Sequence, residues 1–197
     1  MRLRPSMFFK QPQRKATTVR KAIVIFSGFT QQWDEETGSD TLYKRLMPYA
    51  EFGSHDELVL IFKREWHDWE ELAKWLNLNN VSECFVCGYS WGAGHGLVKF
   101  AKTFSGAISC VLCDPVFRSR WPWMRWKAIR RKQNTITYPS NVTVKKVFYQ
   151  TMDEPGNDLV KDVAHRTRLS VPHTQIDSHP AYHEAAEKYL KEFLQRN

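Results

Sequence analysis

A chain of 197 residues that is 42% apolar and 14% aromatic has the makings of one globular domain rather than a disordered chain. It buries roughly 70% of the surface exposed on unfolding, enough for a core that needs neither disulfides nor a structural metal. Lys plus Arg number 29 against 21 Asp plus Glu, a net charge of +8; no apolar leader and no run of about 18 apolar residues occurs, so the expectation is a cytoplasmic protein without a membrane span.

The positive charge belongs to two segments. Arg2, Arg4, Lys10, Arg14, Lys15, Arg20 and Lys21 all precede the first acid, Asp34, and residues 1–20 read as a basic lead. Arg118, Arg120, Arg125, Lys127, Arg130, Arg131 and Lys132 are interleaved with Trp121, Trp123 and Trp126. Such a run could pair phosphates and stack bases, or lie on an anionic lipid surface, whereas its plainer reading is an exposed helix face. Nucleic acid is disfavoured as a partner, because no motif of a nucleic-acid reader accompanies the charge.

From residue 21 strands and helices alternate. Lys21–Ser27 is a continuous β-branched and aromatic run ending at Gly28, the pattern of a buried strand. A helix follows, capped by Ser39 or Asp40, with Leu42, Tyr43, Leu46 and Met47 on its apolar face and Pro48 near its end. Leu58–Phe62 is a second strand, and Trp66, Trp69, Leu72, Ala73 and Leu76 line a second helix. Glu83–Cys87 is a third strand, followed by a glycine-rich turn and a helix with Ala93, Leu97, Val98, Ala101 and Phe104 inward. Ala107–Cys113 and Val142–Tyr149 are the fourth and fifth strands, and a short sixth is predicted near Thr167–Val171. The last helix starts at Pro180 and repeats Tyr182, Ala185, Ala186, Tyr189, Leu190 and Phe193 at helical spacing. Continuous apolar strands separated by helices predict a mostly parallel sheet of about six strands covered on both faces, with the functional site at the carboxyl ends of the strands.

Cys84-Phe-Val-Cys87 and Cys110-Val-Leu-Cys113 have the spacing of a four-thiolate zinc site. Each pair lies within a strand, where residues i and i+3 face opposite sides of the sheet, so core thiols are the better reading. No metal and no cofactor are expected.

Gly88-Tyr89-Ser90-Trp91-Gly92 is a G-x-S-x-G sequence between a buried strand and a helix. A tight turn there exposes the serine hydroxyl, and the N–H groups and positive end of the helix favour a developing oxyanion. With these residues the chain resembles the α/β-hydrolase superfamily from about Lys21 to Leu194, in a minimal version that makes residues 21–197 one domain. The resemblance implies a serine hydrolase acting on a small or lipid-like carboxylic ester or thioester, with Ser90 as nucleophile. It implies an oxyanion hole from the N–H of Trp91 and one in Ser27-Gly28-Phe29-Thr30, from Phe29 or else Thr30.

The family's chain order of serine, acid and histidine leaves two candidate acids. Asp153 follows the fifth strand; Asp114 follows the fourth, in Leu112-Cys-Asp-Pro-Val-Phe117, which is similar to the acid-bearing stretch of pancreatic-type lipases. Asp114 is preferred. His173, His179 and His183 compete for the base. His183 falls inside the last helix, His179 reads as its cap, and His173 is preferred, imidazole being the side chain suited to general-base work. Residues 115–141 form a candidate lid, with Trp123, Trp126 and Ile129 toward the acyl group and Arg125, Arg130 and Arg131 toward water or an anionic head group. The competing function is a non-catalytic module of the same fold that binds nucleic acid or membranes through the basic tryptophan segment.

Overall fold

The computed structural model describes residues 18–29, 31, 36–50, 57–117, 135–153, 159–161, 163 and 165–196. In chain order these form β1 (Thr18–Phe26), α1 (Gly38–Leu46), a 3-10 turn (Met47–Tyr49), β2 (Glu57–Arg64), α2 (Trp69–Leu78) and β3 (Glu83–Tyr89). A π turn over Gly92–Gly96 then runs into α3 (Leu97–Thr103), followed by β4 (Ala107–Cys113), β5 (Thr135–Ile136), β6 (Val142–Tyr149), β7 (Leu159–Val160) and β8 (Arg166–Arg168). The last elements are α4 (His173–Ile176) and α5 (Pro180–Leu194).

Six strands form one sheet in the order β2-β1-β3-β4-β6-β8, every pair parallel. The alternate side chains of β1 explain its unbroken apolar sequence. Ala22, Val24 and Phe26 pack with Leu72, Ala73 and Leu76 of α2 and Leu97 and Phe100 of α3. Ile23 and Ile25 pack on the other face with Leu42 and Leu46 of α1 and Tyr182, Ala186 and Leu190 of α5. Both faces are therefore dry, as an all-parallel sheet requires. The chain leaves β1 toward β2 on one side and returns to β3 on the other, so the carboxyl ends of β1 and β3 flank the topological switch point, the usual place for a site in such sheets.

The cysteines divide between these layers as strand geometry dictates. Cys84 and Cys110 belong to the core under α2 and α3, Cys87 and Cys113 to the core under α1 and α5. All four are buried free thiols, and burial pushes each thiol's pKa up. Each works as a packing residue.

Several local expectations are corrected. The cap of α1 is Thr37, whose hydroxyl accepts from the Asp40 N–H at 3.2 Å while the Asp40 carboxylate accepts from the Thr37 N–H at 3.1 Å. Ser39 is unavailable as a cap because its hydroxyl donates to Gln31 Oε1 at 2.8 Å. Met47 leaves the apolar face for the 3-10 turn that Pro48 favours, and stands 48% exposed. Trp66 precedes α2 and packs instead on Phe29 and Trp91, with ring centroids 5.8 and 5.0 Å away. β1 begins at Thr18, inside the basic lead, β3 runs on to Tyr89, and the sixth strand of the sheet ends at Arg168. The two-residue β5 and β7 pair with each other; two residues carry no readable period. Residues 118–134, hence Trp123, Trp126, Ile129, Arg125, Arg130, Arg131 and most of the candidate lid, lie outside the described residues, as do most of the lead and Thr30. Among the described residues no helix is long and apolar enough to cross a membrane.

Phe100 is fully buried, edge-on to Phe26 at 5.4 Å and stacked on Phe104 at 5.3 Å. Phe100→Ala is expected to destabilise the fold by about 3–5 kcal/mol through lost transfer energy and a residual cavity. Urea unfolding checks this, and a loss below about 1 kcal/mol would contradict the packing described.

Candidate active site

Ser90 ends the run of β3 and opens the helical turn that follows, with φ 51°, a left-handed conformation that costs a non-glycine residue on the order of 1–3 kcal/mol. The flanking glycines are required by close approach. A Cβ on Gly88 would stand 2.7 Å from the Ala93 Cα, and one on Gly92 would run into the carbonyl oxygens of Phe26 and Ser27 at the end of β1. The turn is thus wedged between its own helix and the neighbouring strand, and the Val116 N–H donates to the Ser90 carbonyl at 2.9 Å from the other side.

From this turn a hydrogen-bonded chain runs inward. Ser90 Oγ lies 2.9 Å from His173 Nε2, and His173 Nδ1 lies 2.7 Å from Asp114 Oδ2. A carboxylate only accepts, so Nδ1 carries a proton, and Nε2 is the ring nitrogen that faces the serine hydroxyl. All three side chains are buried, Ser90 at 4%, His173 at 8% and Asp114 at 0% exposure. Asp114 is the residue after β4, itself left-handed at φ 41°, and its N–H donates to the Phe148 carbonyl of β6 at 2.7 Å.

Of the competing acids and histidines, Asp114 and His173 are brought to Ser90. Asp153 turns its Oδ1 to the His173 backbone N–H at 2.6 Å rather than to the ring. His179 caps α5, its Nδ1 accepting from the Ala181 N–H at 3.2 Å. His183 is buried and donates from Nε2 to the Asp177 carbonyl at 2.6 Å; burial pulls its basicity down.

The loop after β1 closes the second side of the site. A Cβ on Gly28 would lie 3.3 Å from the Ser90 Cβ, which puts the Gly28–Phe29 backbone directly against the serine. The Phe29 ring packs at 5.3 Å from that of Trp91, and Trp66, His95 and Phe117 extend this aromatic wall.

Three supports escape the sequence patterns. Tyr89 donates its hydroxyl to the His173 carbonyl at 2.7 Å, and its ring lies 5.1 Å from the imidazole. Burial holds the Tyr89 phenol far above its ordinary range, so that proton stays in place. Gln31 Oε1 accepts from the Gly28 N–H at 2.9 Å and from Ser39, while Gln31 Nε2 donates to Asp177 Oδ2. Asp177 Oδ2 also accepts from the Ser39 N–H at 3.1 Å. The loop beside Ser90, the start of α1 and the segment after His173 are therefore tied through one buried carboxylate. The third support, Gln150, bonds to Asp114. Among the described residues no cluster of histidine, cysteine and carboxylate groups is arranged to hold a metal.

Burial raises the Asp177 carboxyl above its ordinary 3.8, against the opposing pull of Gln31, Ser39 and His173. The folded chain then holds this proton more tightly than the unfolded chain. Its contribution to stability is greatest below the ordinary value and declines as pH rises through the raised one. Asp177→Asn is expected to flatten that decline, so that as pH rises from below the ordinary carboxylate value of 3.8 through the raised one the variant gains relative to wild type in urea unfolding. Parallel curves for the two proteins would contradict it. No protein-family model matches the chain, and no curated protein is detectably similar to it.

Proposed function

We propose that this chain is a serine hydrolase of the α/β-hydrolase type, cleaving a carboxylic ester or thioester by acyl transfer. The observation that carries the reading is the continuous path from Ser90 Oγ through the His173 ring to the Asp114 carboxylate, rooted in a left-handed turn at the carboxyl edge of the sheet. Chain order supports it, since serine, acid and histidine follow β3, β4 and β8 in turn.

Ser90 Oγ adds to the substrate carbonyl carbon as its proton passes to His173 Nε2. The N–H of Trp91, with that of Phe29 as second donor, stabilises the charge that develops on the carbonyl oxygen. The bond to the leaving oxygen or sulfur then breaks, and the proton on Nε2 goes to that atom. Water adds to the acyl-serine by the same route, its proton taken by Nε2 and returned to Ser90. Asp114 holds the ring in the tautomer with Nδ1 protonated and stabilises the transient imidazolium. The steps draw on no metal and no cofactor. The aromatic wall of Phe29, Trp66 and Trp91 beside the serine suits an apolar acyl group.

An alkyl fluorophosphonate, followed by intact mass, tests the reading. Wild type and His179→Ala are expected to take up one label, and Ser90→Ala none. His173→Ala and Asp114→Asn are expected to be slowed by on the order of 10³-fold or more, the latter because the ring loses its fixed tautomer. Absence of label on folded wild type would overturn the hydrolase, and rapid labelling of His173→Ala would remove His173 as the base.

A further inference from the structure

Gln150 follows β6 and is fully buried. Its Nε2 donates to Asp114 Oδ2 and to the Asp153 carbonyl, each at 2.9 Å, while its Oε1 accepts from the N–H groups of Met152 at 2.6 Å and Asp153 at 3.0 Å. A primary amide offers two N–H donors and two lone pairs on oxygen, and all are engaged here. The partners also fix which way the amide faces. Two backbone N–H groups call for the oxygen on one side, and a carboxylate and a carbonyl call for the nitrogen on the other.

The turn that Gln150 holds carries Asp153, whose Oδ1 accepts from the His173 backbone N–H at 2.6 Å. The His173 ring returns to Asp114 Oδ2 at 2.7 Å. Asp114, Gln150, Asp153 and His173 therefore make a closed circuit of hydrogen bonds. Asp114 Oδ2 is met by an N–H from each of two sides, which fixes the plane of the carboxylate. The backbone of His173 is anchored to the same amide that orients its carboxylate partner, so base and acid cannot shift independently.

We propose that Gln150 and Asp153 are positioning residues for the reaction at Ser90, acting through Asp114 and His173 respectively; this rests on the acyl-transfer reading above. Neither touches the reacting atoms. A misplacement of acid and base of less than 1 Å reduces the fraction of encounters that react without changing how the ligand is held, so the cost falls on the chemical step. The identity of residue 150 matters as well as its shape. A carboxylate there would face that of Asp114, and the two would compete for a proton.

Saturation kinetics of an alkyl fluorophosphonate, which bonds phosphorus to a serine oxygen and releases fluoride, separate kinact from KI in wild type, Ser90→Ala, Gln150→Glu, Gln150→Met and Asp153→Ala. Gln150→Glu keeps an oxygen for the Met152 and Asp153 N–H groups and replaces the donors to Asp114 and Asp153 with a second carboxylate oxygen. Asp153→Ala lies at an exposed position and removes the acceptor for His173. The expected result is kinact lower by about tenfold or more in all three positioning variants, with KI within about twofold of wild type. A kinact within about twofold of wild type in both Gln150→Glu and Asp153→Ala overturns the proposal. Should the Gln150 variants fail to fold, Asp153→Ala decides alone by the same two numbers. Ser90-dependent labelling with unchanged kinact overturns the circuit and leaves the hydrolase standing; absence of Ser90-dependent labelling in wild type overturns both.

Discussion

The left-handed turn at Ser90 is held by contact on three sides. Gly88 abuts Ala93, Gly92 abuts the last carbonyls of β1, and the Ser90 carbonyl accepts from Val116 beyond β4. A strained residue persists only where its surroundings over-determine it, and here the strands on either side of β3 supply that constraint. The arrangement requires β1, β3 and β4 to be adjacent and in register, which the parallel sheet provides. Tyr89 pairs with Cys113, so the residues that follow, Ser90 and Asp114, leave neighbouring strands at the same level, and both turn left-handed as they do. Among the described residues one further non-glycine is left-handed, Asn80, which lies just past α2 and ends that helix.

Once Ser90 and Asp114 are fixed at neighbouring strand ends, one imidazole can span the gap between them. It must arrive from elsewhere, and it comes from the start of α4 after the edge strand β8. This four-residue helix anchors itself in the core through Ile176. His173 is held by its backbone, with its N–H on Asp153 and its carbonyl on Tyr89, while the adjoining Asp177 reaches across to Gln31 and Ser39. The segment that carries His173 is thereby tied to β3, to the turn after β6 and to the loop after β1.

How much of this is legible in the sequence depends on which force decides each feature. The central strands β1, β3 and β4 are legible because burial on both faces writes an unbroken apolar run, and the G-x-S-x-G turn is legible because steric exclusion writes glycine. Asp114 and Asp153 each follow a strand, and in the sequence only the resemblance of Leu112–Phe117 to a lipase stretch favours the first. What separates them is depth: Asp114 is fully buried and Asp153 is exposed. The cap of α1 is misread at Ser39 because a long-range bond to Gln31 claims its hydroxyl, leaving Thr37 and Asp40 to form the capping box. Gln31 and Gln150 give no signal, because glutamine near a strand end is ordinarily a surface residue and nothing local marks these two as buried.

The distribution of buried polar groups carries the argument one step further. Ser27, Gln31, Ser39, Ser90, Asp114, Gln150, His173 and Asp177 are all at most 8% exposed and gather at the carboxyl edge, whereas the described core beneath is built mainly of aliphatic, aromatic and thiol side chains, with Lys21 and Ser109 as buried polar groups nearer the other end of the sheet. Replacing buried polar networks by apolar residues of like shape is commonly neutral or stabilising, so stability alone gives no reason to concentrate them at one end. Asp177 makes the point physically, since burial works against its charge even with Gln31 and Ser39 attached. A network that costs stability in this way, yet bonds directly to the backbone beside Ser90 and to the segment that carries His173, is accounted for by the geometry it enforces. The sheet supplies the free energy, and its carboxyl edge spends part of it holding three side chains in line.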